Sequence, residues 1–230
     1  MVSGVRFGAV SLDVGGVLVV PDHGMLGAAL DDAGVPHDRA CFGKGHHHAM
    51  AAVDRASSDP EDFTDYLVGF LTSVGVPSDM VARGRAALAR VFRTPVWCQP
   101  VPGARAGLAA LRDAGMRMAV TSNSDGTVAD LLRRHEWVQV GPGPGVEVEV
   151  ITDSGLVGAG KPDSRIFHAT AAALGLDAHR VLHVGDSAHY DVAGAVDAGM
   201  AALHMDPYGL CPATDHDHVR SLVEVLELVS

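Results

Sequence analysis

Four short polar stretches interrupt the apolar runs of this 230-residue chain, and they hold the side chains best suited to chemistry. Asp13-Val14-Gly15-Gly16-Val17-Leu18 follows the apolar run Val5–Leu12, and Ser122-Asn123-Ser124 follows Met116–Thr121. Gly158-Ala159-Gly160-Lys161-Pro162-Asp163 stands just before a helical pattern. Gly185-Asp186-Ser187 follows Val181–Val184, with Asp191 one helical turn further on. Carboxylates can attack an electrophile or ligate a cation, while hydroxyls and an ammonium can hold an anion. Singly, each stretch also has an ordinary reading: a strand-end Asp caps a helix, Ser-Asn makes a turn, and Asp186-Ser187 opens the next helix. The lysines are easily weighed, because the 17 basic residues are 15 Arg and just Lys44 and Lys161.

The elements that would position these residues alternate along the chain. Val5–Leu12, Met116–Thr121, Val146–Ile151, Val181–Val184 and Ala201–His204 read as strands, the third because it alternates with period two. Helical patterns run over Gly103–Ala114, Thr127–His135, Ser164–Leu174, Asp191–Ala198 and Asp217–Leu228. This order implies an α/β fold, a Rossmann-like parallel sheet with helices on both faces. Parallel strands bring Asp13, Ser122, Lys161 and Asp186 to one edge, where such sheets bind ligands. About a hundred residues separate the first two strands, too many for one crossover. Roughly helical apolar spacing in Phe63, Leu67, Phe70, Leu71 and in Met80, Val81, Leu88, Val91, Phe92 predicts a small all-helical insert. Its breaks fall near Gly34–Pro36, Ser57–Pro60 and Gly75–Ser78. The core is then residues 1–20 and 97–230, and the insert 21–96.

In this order and at these spacings the four segments resemble the haloacid dehalogenase-like hydrolase superfamily, with the insert in the position of its helical C1-type cap. The likeness is most specific over GKPDSRIFHATAAALGL and RVLHVGDSAHYDVAGAVDAGM, from Lys161 to Met200. It implies that Asp13 is a covalent nucleophile toward phosphorus and that Asp13, Asp186 and the Gly15 carbonyl hold Mg²⁺. By the same resemblance Lys161 offsets charge on nucleophile and phosphoryl group, Ser122 and Asn123 bind the phosphoryl oxygens, and Asp191 supports the metal's waters or orients Lys161. One position departs from the family. Most of its phosphatases carry Asp-x-Asp, and the second Asp protonates the leaving oxygen; here that position is Gly15. Such a group is typically worth ~10²–10⁴-fold in rate, so phosphomutase chemistry is disfavoured. A phosphatase then needs a good leaving group, such as an anomeric or acyl oxygen, or a proton from water, substrate or cap.

Within the insert, Gly43-Lys44-Gly45-His46-His47-His48 is the candidate for substrate contact, with Lys44 and His47 as the named residues. Three consecutive histidines on a helix point in different directions, and a partly exposed helix start explains them equally simply. His183 reads as a hydrogen-bonded core residue, Met116, Met118 and Met200 as packing, and His216 and His218 as solvated turns.

Composition bounds the remaining options. Hydrophobic residues at 47% and charged ones at 20% allow a buried core, and the formal charge of −11 with 5% aromatics argues against nucleic acid as a partner. Three separated cysteines without a C-x-x-C pair suit a reducing compartment, and neither a secretory signal nor a membrane span is visible. The expectation is a cytoplasmic, Mg²⁺-dependent phosphatase of a small phosphorylated metabolite such as a sugar phosphate, the alternatives being a metal-independent C–halogen hydrolase and a non-catalytic binding protein that has lost its acid.

Overall fold

Short apolar strands that each end in a polar turn, alternating with helices, can bury both strand faces only if they pair in parallel between helical layers. The computed structural model describes residues 7–56, 62–92 and 95–229 and has this arrangement. Six strands form its central sheet: β1 (Ala9–Leu12), β2 (Met118–Ser122), β3 (Val150–Asp153), β4 (Val181–Gly185), β5 (Ala201–Met205) and β6 (Asp217–Val219). They lie in the order β6-β5-β4-β1-β2-β3, all parallel. Strand order reverses at β1, so the crevice beyond its carboxyl end lies between the ends of β2 and β4.

Every residue of β1, β2 and β4 is buried. The helix Ser164–Leu174 shows how local sequence sets the bounds. Asp163 caps its start by accepting the Arg165 N–H at 2.9 Å, and Gly175 ends it in the left-handed region at φ 65°. Its apolar face, with Ile166, Phe167 and Leu174, packs with Ala9, Val181 and Met200 in one core cluster.

Three expectations are corrected. Val146–Ile151 is not one strand: Val146–Val148 pairs with Val138–Val140 in a separate ribbon, and β3 begins at Val150. The break falls at Glu149, whose N–H is taken by the Met118 carbonyl and whose carboxylate is held by both Arg117 Nε and Nη2 at 2.7 Å. The last helix does not start at Asp217. It spans Leu222–Val229, and Asp217–Val219 pairs in parallel with β5, so His218 lies on a strand rather than in a solvated turn. The helix expected over Asp191–Ala198 is a π-helical turn, Ala188–Ala193, running into Gly194–Asp197. Met118 and Met200 are buried while Met116 is half-buried. Val5 of the first expected strand and the break at Ser57–Pro60 lie outside the described residues.

The chain divides into two compact units. One holds Met1–Leu18, Val101–Pro207 and Pro212–Ser230 and contains the sheet. The other comprises Val19–Pro100 with Tyr208–Cys211. Its described helices are His23–Asp32, Phe42–Ala56, Thr64–Ser73 and Val81–Val91, and the structure adds an antiparallel ribbon of Val19–Pro21 with Trp97–Pro100. Phe42 meets Phe70, and Phe92 meets Tyr66 and Trp97, at edge-to-face geometries that give this unit its own aromatic core. Among the described residues no helix is long and apolar enough to cross a membrane.

Candidate active site

At the reversal point of the sheet, Asp13 leaves β1 with its N–H still bonded to the Val184 carbonyl at 2.8 Å. Lys161 reaches it from the loop before Ser164–Leu174, placing Nζ 2.7 Å from Asp13 Oδ1 and 2.7 Å from Asp191 Oδ1. Asp186 follows β4. Oxygens of Asp13, Asp186 and Asp191 lie within 4.8 Å of one another, and all three residues are buried. Gly16 makes the approach feasible. It sits at φ 64°, and a Cβ built there would fall 2.0 Å from Asp186 Oδ2. Gly185 does the same for Asp191, whose Cγ would be 2.0 Å from a Cβ at that position.

Asp13 and Asp191 share the Lys161 ammonium and Asp186 adds a third buried carboxylate, so negative charge is in excess. Burial pushes the Asp13 carboxyl up to about 7; Lys161 pulls against this, and Asp191 and Asp186 add to it. Asp191 is also buried, but Lys161 and His183 outweigh that effect and hold its carboxyl well below the ordinary range. Burial disfavours the Lys161 ammonium, yet the two carboxylates beside it raise its pKa above the usual lysine value. The donor set is all oxygen, anionic and short of positive charge. It therefore fits a hard divalent cation such as Mg²⁺.

The other predicted residues divide between the two units. Ser122, buried, ends β2 opposite Asp153 of β3. Asn123 ties down the lysine loop: its Oδ1 accepts the Lys161 N–H at 2.7 Å and its Nδ2 donates to the Lys161 carbonyl at 3.0 Å. The Gly15 carbonyl accepts the Val17 N–H at 2.7 Å, which leaves its second lone pair. Lys44 and His47 belong to the second unit, on the helix Phe42–Ala56. Lys44 is exposed there, and His47 is buried with its ring 5.3 Å from that of Tyr208.

Residue-by-residue reading of the strand ends missed a buried polar chain behind the site. His183 Nε2 lies 2.9 Å from Asp191 Oδ1, and its Nδ1 lies 3.1 Å from Ser11 Oγ. Ser11 continues to Thr121 at 2.8 Å, Thr121 to Thr170 at 2.7 Å, and Thr170 to Thr152 at 2.9 Å. In the tautomer whose Nε2–H donates to the carboxylate, Nδ1 accepts the Ser11 hydroxyl. A signal existed in the sequence: each of four adjacent strands carries a polar residue within its apolar run, with Ser11 in register with His183 and Thr121 with Thr152.

A profile of the haloacid dehalogenase-like hydrolases matches residues 7–199, and the chain belongs to that family. Among characterised relatives, it is 37% identical over 105 residues to a phosphoserine phosphatase of Thermus thermophilus, an alignment covering 46% of this chain and 40% of that enzyme. The chain spans 40–61% of the length of the curated relatives it matches first. Among solved structures, YfnB of Bacillus subtilis bound to magnesium superposes with a TM-score of 0.64 at 17% identity, covering 98% of this chain and 100% of that one. A 2-haloacid dehalogenase of Pseudomonas syringae pv. Tomato DC3000 superposes with a TM-score of 0.55 at 20% identity, covering 97% and 98%. At those identities the likeness is one of fold.

Proposed function

We propose that this protein is a Mg²⁺-dependent phosphatase of a small phosphorylated metabolite, with Asp13 as covalent nucleophile. The observation that carries this reading is the excess of buried carboxylate: oxygens of Asp13, Asp186 and Asp191 lie within 4.8 Å of one another, and the Lys161 ammonium pairs with two of these residues, Asp13 and Asp191. A divalent cation gives Asp186 a partner beside the attacking Asp13, whereas without one the second carboxylate would repel an anionic substrate. The phosphatase named among the relatives agrees with this reading.

In the proposed reaction an Asp13 carboxylate oxygen attacks phosphorus, the P–O bond to the leaving group breaks, and the phosphoryl group is carried on Asp13. Water then attacks that phosphorus, releasing inorganic phosphate and restoring the carboxylate. Mg²⁺, held by Asp13, Asp186 and the Gly15 carbonyl, would supply the charge neutralisation that lets two anions meet. Lys161, fixed by Asp191, fastens the nucleophile and faces the charge that develops on the phosphoryl oxygens. Ser122 donates to a phosphoryl oxygen. Asn123, with both amide atoms on the Lys161 backbone, acts by positioning that loop. Gly15 brings no acid, so the leaving oxygen is weakly basic, or takes its proton from water, from the substrate or from a cap side chain.

The test is phosphate release from a panel of sugar, amino-acid and nucleotide monophosphates, with Mg²⁺ or with EDTA. Activity is expected to vanish in EDTA and return with Mg²⁺, and Asp13→Asn to lose roughly 10⁴-fold or more. Halide release from 2-haloacids that persists in EDTA would establish the C–halogen reading instead. A biological effect unchanged by Asp13→Asn would establish the non-catalytic one.

A further inference from the structure

Next to the Asp186 backbone, three histidines of the sheet unit converge: His204 on β5, His218 on β6, and His216 just before β6. One ring nitrogen of each lies within 4.8 Å of the others, and the ring centroids are 4.6–5.2 Å apart. The pairing of β5 with β6 sets this up, since His218 stands directly in register with His204.

Hydrogen bonding fixes how two of these rings can be protonated. His204 Nε2 lies 3.1 Å from the Asp186 carbonyl oxygen, and a carbonyl can only accept, so Nε2 carries hydrogen. His216 Nδ1 lies 2.8 Å from Asp215 Oδ1, and a carboxylate likewise accepts, so Nδ1 carries hydrogen. The remaining nitrogens, His204 Nδ1 and His216 Nε2, face each other at 3.1 Å. In two neutral imidazoles both of these are lone pairs, and lone pairs at that distance repel unless a cation lies between them. Adjacent nitrogens around a tetrahedral zinc ion, with Zn–N of 2.0–2.1 Å, stand about 3.3 Å apart. Ligating histidines also characteristically donate their other N–H to a backbone carbonyl or a carboxylate, as His204 and His216 do here.

We infer that His204, His216 and His218 form a binding site for a borderline transition-metal cation, Zn²⁺ in the first instance, separate from the carboxylate site. Three neutral imidazoles select against Mg²⁺, which prefers oxygen, and this keeps the two sites chemically distinct. His218, exposed, supplies the third nitrogen of the group. The site touches the first one through the hydrogen bond from His204 Nε2–H to the Asp186 carbonyl, so Zn²⁺ here would brace the peptide that carries Asp186.

The probe is Zn²⁺ alone, titrated by calorimetry into the full chain in millimolar Mg²⁺, which occupies the carboxylate site. One equivalent is expected to bind, and Tm to rise by roughly 5–10 °C at a hundredfold excess over Kd. His216→Ala combined with His218→Ala, two changes outside the buried core, should weaken binding at least tenfold, whereas Asp186→Asn should leave it intact. Co²⁺ in place of Zn²⁺ gives a second reading: intense visible bands of low-coordinate nitrogen ligation in wild type, lost in the double variant. Absence of Zn²⁺ binding in Mg²⁺ would overturn the site and assign the facing nitrogens to a shared proton. Binding unchanged in the double variant and abolished by Asp186→Asn would overturn it in favour of zinc among the carboxylates. Neither result bears on phosphate release, so this inference and the proposed activity fail separately.

Discussion

The position of Lys161 depends on a residue that touches no substrate. Its ammonium is divided between Asp13 and Asp191, and Asp191 is in turn fixed by His183 Nε2 at 2.9 Å and the Ser187 N–H at 3.1 Å. His183 is wholly buried and anchored from behind by Ser11, so the imidazole cannot swing away. Replacing it with Ala leaves Asp191 one donor short and lets the carboxylate and Lys161 shift together. We expect His183→Ala to lower kcat about 10–100-fold with KM nearly unchanged, the usual range for removing a buried support of a ligand shell. His183→Asn, which can still donate, should recover part of that loss. A KM effect with kcat intact would show instead that His183 acts on binding. Asn123 belongs to the same class of residue, since its amide holds the Lys161 backbone at both ends.

Among the elements, strand ends were the part of the site most legible beforehand. An apolar run closing on Asp or Ser-Asn announces where a parallel strand stops, and the register of β1, β2 and β4 does the rest. What the sequence does not announce is anything shorter than its own periodicity. β6 has three residues, Asp217-His218-Val219, too few to alternate visibly, and so merged into the helical pattern behind it. The break at Glu149 was hidden because Val146–Val150 alternates without a flaw; the bidentate hold of Arg117 marks the change of partner. Likewise His183 looked like a core residue, and it is one, but its partner eight positions on is brought near by the π-helical turn Ala188–Ala193. The turns after β1 and β4 carry a prediction of their own. Gly16→Ala would strain a left-handed backbone and drive a methyl group into the Asp186 carboxylate, and Gly185→Ala would drive one into Asp191. Overpacking of this kind costs about 1–3 kcal/mol. The two variants should separate in a Mg²⁺ titration of activity. Gly16→Ala raises the Mg²⁺ concentration needed for half-maximal rate, whereas Gly185→Ala lowers the rate at saturating Mg²⁺. Wild-type titration curves in both variants would mean that the glycines serve only the chain path.

Over the whole molecule, two buried groups in different units give folding stability opposite responses to acid. Asp13, pushed up to about 7 by burial, keeps its proton in the folded metal-free protein over a range where the unfolded chain, near 3.8, has released it. Its stabilising share is therefore complete below about 4 and is lost as pH rises toward 7. His46, in the helix Phe42–Ala56, runs the other way. Burial lowers its pKa to about 3, with its Nδ1 beside Tyr66 Oη at 2.8 Å, while the unfolded imidazole takes up a proton near 6.5. Its share is complete above 6.5 and is lost as pH falls toward 3. Between about 4.5 and 6.5 the two slopes oppose, each tending to a limit of one proton, or about 1.4 kcal/mol per pH unit. Urea unfolding in EDTA should therefore show modest net dependence on pH in the wild type from this pair. Asp13→Asn removes the falling slope, so its stability relative to wild type should rise with pH. His46→Gln removes the rising slope, and its stability relative to wild type should fall with pH. Should the units unfold in separate transitions, the Asp13 effect belongs to the transition of the sheet unit and the His46 effect to that of the helical unit. Parallel pH profiles for all three proteins would show that neither group changes its protonation on folding. Mg²⁺ supplies an internal control: by favouring the ionised carboxylate it should flatten the Asp13 contribution and leave that of His46 untouched.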